Sequence, residues 1–297
     1  MASTAPVAMR RLDSKTGGPL RVKADWRSRA FTQLSWTVLV LFGLIWIFPA
    51  FWSLDTSLRP EGEIAAHPAA FWSSHWTFGA YGTVWKNADM LGLYVNSFLI
   101  STLSVVFTVA VCSMAGFAIA RIRFRGYRLV TGIALAGLLI PPQIGILPMF
   151  REVQSMHLLN TYWSNILPGI AAPVAVFVFA SFFRGLPHEM AESARVDGAG
   201  WFRIYWQVYL PLCRPAVAAV SIFTFIWSWN SFLWPLLTLS SPKVMTIPVG
   251  LNSIQTGFGL IQGQIMAGAV LGALPLVFVF LFFQRHIVEG VANTGIK

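Results

Sequence analysis

Two groups of residues have types and spacing suited to specific chemistry, and neither is a catalytic set. The first is a charged, helix-like island: Glu189, Glu192, Ser193, Ala194, Arg195, Asp197 and Gly198, followed by Val208, Leu210 and Pro211. Glu189, Glu192 and Arg195 are spaced by three and share one helical face, while Ala191 and Ala194 keep the neighbouring face thin. That combination suits ionic docking into a groove on another macromolecule. The competing interpretation is an amphipathic loop lying on a lipid surface. The second group is uncharged. Asn96 is followed by Ser97, Ser101, Ser104 and Thr108, and the last four advance by 4, 3 and 4 residues, so they share one face. Such a face lines a pathway or hydrogen-bonds to a neighbouring helix. Trp227, Trp229 and Asn230 set an amide among aromatic faces, a composition that holds a sugar ring and equally makes a packed cluster.

Enzymatic constellations are missing. The five His are scattered, and no H-E-x-x-H, G-x-S-x-G or G-x-x-x-x-G-K-[ST] pattern occurs. Cys112 and Cys213 form no C-x-x-C and suit free thiols. The sequence therefore points to no catalytic residue, no metal site and no cofactor held by this chain.

The island and the polar face must be positioned by membrane helices. The chain is 56% hydrophobic and 11% charged over 297 residues, against roughly 25% charged in soluble domains. Six apolar blocks are long enough to span a bilayer, at 33–54, 93–120, 129–150, 163–183, 215–238 and 265–284. The first is too long for the apolar core of a signal peptide and is expected to be an uncleaved anchor. The net charge of +10 does not signal nucleic acid, because the basic residues form short clusters between apolar runs. Of the 21 Lys and Arg, 17 fall on the side holding both chain ends. By the positive-inside rule both termini are cytoplasmic. The expected organisation is a basic N-terminal tail over 1–32, a transmembrane domain over 33–286 and a C-terminal tail over 287–297. Within the domain lie an external loop, 55–92, and a cytoplasmic loop, 184–214. The Arg121, Arg123, Arg125 and Arg128 cluster suits topology fixing and contact with anionic lipid.

No Asp, Glu, Lys or Arg lies within a proposed span, and Asp55 stands at the rim of the first. A proton relay needs titratable groups inside the membrane, so an ion-coupled secondary transporter is the weaker alternative. Prolines at 141, 142, 148, 168, 173, 235 and 275 are placed to break or bend spans. They either line a moving cavity or only adjust packing. In the 184–214 loop, Pro187 suits a first helical position, with one helix over 188–196. Gly198 suits a left-handed stop, and a second helix covers 201–209, ended by Leu210-Pro211 and Pro215.

The island resembles the EAA motif of binding-protein-dependent ABC importer permeases, E-A-A-x3-G-x9-I-x-L-P. Here it runs Glu192, Ser193, Ala194, Gly198, Val208, Leu210 and Pro211 at full spacing, with Ser193 in place of Ala and Val208 in place of Ile. The likeness extends through Asn96-Ser97, the 118–126 stretch, the 229–235 stretch and the 246–251 stretch, which resemble the sugar-transporter subgroup. Ser231 stands where that subgroup commonly has Glu. The chain is similar to the smaller permease of maltose-type importers. The resemblance implies an all-α, six-helix, type I importer permease in the bacterial plasma (inner) membrane. It implies a second homologous permease, two ATPase subunits carrying ATP and Mg, and an external solute-binding protein. By position, Glu189, Glu192, Ser193, Ala194, Asp197, Gly198, Leu210 and Pro211 would couple to the ATPase. Asn96, Ser97, Ser101, Trp227, Trp229 and Asn230 would be pathway or substrate residues. The solute implied is a sugar, with a polyol or a glycerol phosphate ester as the alternative.

Overall fold

A computed structural model describes residues 26–294 apart from 74, 123, 259 and 260. The N-terminal tail up to residue 25, the last three residues and Arg123 lie outside the described residues, as do the side chains of Arg27, Arg29 and Arg285. No strand occurs among the described residues. The chain divides between Ala50 and Phe51 into two units. The first is occupied, over its described residues, by most of α1 (Trp26–Ser57), whose Trp36, Leu39, Phe42 and Trp46 are all exposed. Exposed apolar side chains of this kind are what lipid solvates well.

In the second unit the 55–92 connection is itself partly helical. It carries α2 (Glu61–Ala66) and α3 (Gly79–Asn87). Arg59, fully enclosed, holds it together: its guanidinium donates to the Ala70 carbonyl at 2.6 Å and the His67 carbonyl at 3.0 Å, and lies 3.9 Å from the Glu63 carboxylate. Asp55, placed at the rim from sequence alone, is buried.

The second span is α4 (Met90–Arg121), unbroken over 32 residues. The third expected span is two pieces, α5 (Tyr127–Leu139) and, after a 3-10 turn at Pro142–Gly145, α6 (Ile146–Ser155), bent by 98°. Pro142 cannot donate to the ladder and Ile140 is forced extended before Pro141, so the helix stops there. The fourth is also broken. A short α7 (Trp163–Ile166), extended by a 3-10 turn to Gly169, meets α8 (Pro173–Gly185) at 46°.

Next come α9 (Glu189–Val196), α10 (Trp201–Ile204), a π turn over Tyr205–Tyr209 and α11 (Leu210–Leu212). The helix predicted to end at Leu210-Pro211 instead runs through them. The π turn, in which the Leu210 N–H reaches back to the Tyr205 carbonyl, widens the helix just ahead of the proline ring. The 10–11 segment turns 79° from α12 (Arg214–Trp229). The fifth block closes with α13 (Leu233–Thr238), then α14 (Ile247–Phe258) and α15 (Gln262–Thr294) follow. Pro275 does not break α15, although a proline there was expected to interrupt the span.

In the membrane, helices associate through close packing rather than hydrophobic drive. The α4–α8 pair illustrates this at Gly116, where an added Cβ would stand 2.7 Å from Phe179 Cβ and 2.9 Å from the Ala180 nitrogen. Cys112 Sγ adds a weak bond to the Ile170 carbonyl at 3.2 Å. The largest buried cluster gathers beside this pair, with Phe117, Phe179, Phe183, Ile204, Tyr205 and Tyr209 at its centre.

Candidate functional site: the charged hairpin and the polar helix face

The residues from Glu189 to Leu212 form a helical hairpin whose local chemistry is complete. α9 has Glu189 and Glu192 in its first turn and Arg195 in its last, the arrangement its macrodipole favours. Its end is a full Schellman motif: Ala199 N–H donates to the Ala194 carbonyl at 2.9 Å and Gly198 N–H to the Arg195 carbonyl at 3.0 Å. Gly198 has φ +78°, the left-handed value that the turn requires. The Arg195 guanidinium then lies 5.1 Å over the Trp201 ring and ties the second arm to the first.

The hairpin has two distinct sides. Ala191, Ile204, Tyr205 and Tyr209 are buried and root it on α4 and α8. Glu189, Glu192, Ser193, Asp197 and Gly198 are exposed, and Ala194 is half-buried. Val196 is 88% exposed and Phe202 70% exposed, large apolar side chains set among carboxylates. Leu210 and Pro211 line a shallow groove with Trp206 and Arg214. The exposed side can accept a groove or ridge of another protein. It contains no nucleophile–base pair.

The rooted side depends on one stripe of α4. Phe117 is central, with ring centroids 5.3 to 5.7 Å from Tyr209, Tyr205 and Phe183. One turn earlier, Ser113 Oγ shares a 2.7 Å hydrogen bond with the Tyr205 hydroxyl. One turn later comes Arg121, which is 8% exposed and donates from Nη2 to the carbonyls of Phe183 and Leu186. Sequence reasoning placed Arg121 in a surface cluster facing lipid; the structure turns it inward. The signal that could have found it is its spacing: 113, 117 and 121 recur every four residues on one face.

Burial also sets the ionisation of this region. It raises the Tyr205 phenol, which the Ser113 hydrogen bond only partly offsets, and raises the Tyr209 phenol against the opposing Arg121 charge. Burial pushes the Cys213 thiol up to about 12. The thiolate is the reactive form, and an unperturbed thiol near 8.5 ionises readily at pH 8. The native Cys213 is therefore held as the thiol and is also enclosed, and labelling of a Cys112→Ala chain by a polar maleimide should appear only after unfolding. Rapid labelling of the folded chain would show that the hairpin root is open.

At the other end of α4 the polar face divides. Asn96, 3% exposed, donates to the Lys243 and Met245 carbonyls, both at 3.0 Å, and accepts from the Tyr162 hydroxyl at 2.6 Å. Ser97 Oγ accepts the Ile247 N–H at 2.8 Å. These two side chains fasten the 243–247 segment to α4. Ser101 is enclosed, and its hydroxyl has no hydrogen-bond partner among the described residues. The aromatic pair is also split. Trp229, 3% exposed, donates from Nε1 to the Gly272 carbonyl at 3.1 Å and stacks on Phe225, whereas Trp227 is 79% exposed. Residues two apart on a helix point in different directions, so the two rings form no shared cradle. Asn230 donates back to the Ile226 carbonyl at 2.8 Å and caps its own helix.

The helical architecture and the hairpin can be compared with known proteins. Residues 112–293 match the model of the family described as "Binding-protein-dependent transport system inner membrane component". The chain belongs to this family. The matched stretch begins inside α4 and takes in the whole hairpin. The permease is 35% identical to the arabinooligosaccharides transport system permease protein AraQ of Halalkalibacterium halodurans, over 89% of this chain and 97% of the relative. It is 34% identical to the diacetylchitobiose uptake system permease protein NgcG of Streptomyces coelicolor, over 89% of each. Among solved structures, its fold matches a chain in the crystal structure of a bacterial ABC transporter involved in the import of the acidic polysaccharide alginate. That match has a TM-score of 0.76 at 22% identity and covers 90% of this chain and 99% of that one.

Proposed function

We propose that this permease is one of two related membrane subunits of a carbohydrate-importing ABC system in the bacterial plasma membrane, with both chain ends in the cytoplasm. Two separate ATPase subunits hold ATP and Mg and dock on the exposed side of α9, while an external binding protein delivers the solute. The observation that carries this proposal is the two-sided hairpin. Exposed carboxylates and exposed Val196 and Phe202 sit on a compact turn rooted in the helix core. Exposed apolar side chains rimmed by carboxylates suit a protein contact. The carbohydrate class rests on the two relatives, both named for saccharide uptake and both matched over most of their length.

Purification in mild detergent tests the assembly. The expected result is one complex holding this chain, a second permease, an ATPase and the external binding protein. The isolated binding protein should then bind an oligosaccharide in preference to a polyol or a glycerol phosphate ester. Preference for either of the latter would replace the carbohydrate assignment. Uptake by this chain alone, driven by an ion gradient without nucleotide, would replace the whole proposal with a secondary transporter.

A further inference from the structure

Arg121 carries a charge into the protein interior, and among the described residues no carboxylate is hydrogen-bonded to it there. Its Nε and Nη1 have no hydrogen-bond partner among the described residues. A buried cation is costly unless something specific compensates it. Two things do. The first is a pair of carbonyls, Phe183 and Leu186, at the C-terminal end of α8. Helix ends leave such carbonyls short of backbone donors, the Phe183 carbonyl having the Leu186 N–H at 3.3 Å, and are the negative pole of the helix. The second is the face of Tyr209, with the guanidinium carbon 5.0 Å from the ring centroid. The Tyr209 hydroxyl in turn donates to the Pro187 carbonyl at 3.3 Å.

These contacts fall at both ends of the hairpin. Leu186 and Pro187 are where the chain enters α9, and Tyr209 is where the second arm leaves. A group that holds both the entry and the exit sets the pose of everything between them. Lysine would not serve equally: a point charge lacks both the planar face that stacks on Tyr209 and the fork that spans two carbonyls.

We propose that Arg121 is a positioning residue that fixes the α9–α11 hairpin on α4, and that movement of the hairpin reaches the rest of the permease through it. The consequence for transport rests on the proposed function; the positioning role does not. Methionine at this position removes the cost of burying the unpaired cation, which offsets part of the loss of its two carbonyl contacts. Arg121→Met should therefore fold and yet lose the function.

The test uses two readouts. In the assembled complex, solute moved per ATP hydrolysed should fall about tenfold or more in Arg121→Met, with Arg121→Lys in between. In the full chain in nanodiscs, a spin label on Ser193→Cys should gain mobility when Arg121→Met is added, because the helix that carries it loosens. The native cysteines, both buried, remain unlabelled. Melting should stay within about 5 °C of the parent, a shift of little consequence for a chain of this size. Unchanged label mobility together with unchanged coupling in Arg121→Met would overturn the proposal. Should that variant fail to fold, Arg121→Lys decides: a mobile label supports positioning, and wild-type behaviour in both readouts overturns it. A mobile label with normal transport in both Arg121→Met and Glu192→Lys would remove the docking function and leave the positioning role standing.

Discussion

Permeases carrying Glu192→Lys or Gly198→Asp are expected to reach the membrane, yet to hold the ATPase weakly and fail to move solute in step with ATP hydrolysis. Neither change should unfold the chain. Glu192 is exposed, and exposed substitutions of this kind shift stability by about 0.5 kcal/mol or less. Gly198 has φ +78° with nothing within 4 Å of an added Cβ. Asp tolerates that backbone better than most residues, at a cost of about 1 kcal/mol. Both substitutions do change the charge of the exposed face beside Asp197. At a docking hot spot a loss of about 2 kcal/mol is roughly thirtyfold in affinity. Uptake and ATP hydrolysis measured together in proteoliposomes check this. Normal uptake in both variants would remove the hairpin from any docking role. Gly198→Val is the contrasting case: a β-branched residue in the left-handed region should damage the hairpin turn itself.

Gly116→Leu is expected to lose the folded protein outright. The Cβ alone would lie 2.7 Å from Phe179 Cβ and 2.9 Å from both the Ala180 nitrogen and the Val176 carbonyl oxygen. Two of these three are backbone atoms of α8, which cannot swing aside as a side chain does. α4 and α8 must separate, and the separation disturbs the cluster that roots the hairpin. Overpacking of a tight core costs about 1–3 kcal/mol, and leucine adds three more carbons beyond the clashing Cβ. The monodisperse fraction after detergent extraction should collapse for Gly116→Leu and fall part-way for Gly116→Ala. Gly132→Ala, which meets nothing within 4 Å, should leave it unchanged. A well-behaved Gly116→Leu would show that the two helices do not approach so closely.

What sequence could reveal was what short-range chemistry determines. The α9 stop at Gly198 was legible because a Schellman turn needs a left-handed residue at one position, and only glycine takes it freely. The break after Leu139 was legible because two adjacent prolines remove donors and force Ile140 extended. What stayed hidden depended on partners far along the chain. The partners of Asn96 are the carbonyls of Lys243 and Met245, nearly 150 residues away. Trp227 and Trp229 looked like a pair because they are close in sequence; helical geometry sends one outward and one toward Gly272. Arg121 looked like its neighbours Arg125 and Arg128 because composition does not show which arginine of a cluster turns inward. Pro275 looked like a breaker, but a membrane helix can absorb a proline where surrounding groups take up the freed carbonyl.

The unbroken length of α4 has a mechanical consequence. Its neighbours α5–α6, α7–α8 and α10–α12 all bend sharply, whereas α4 runs through 32 residues without a proline, about 48 Å at 1.5 Å per residue. One end is bolted to the hairpin by Arg121 and the other to the 243–247 segment by Asn96 and Ser97. A rod of that length shifts its far tip by about 0.8 Å for each degree of tilt. α4 thus has the form of a lever arm: a tilt at one of its ends must reappear at the other, whereas the helices around it are interrupted by bends.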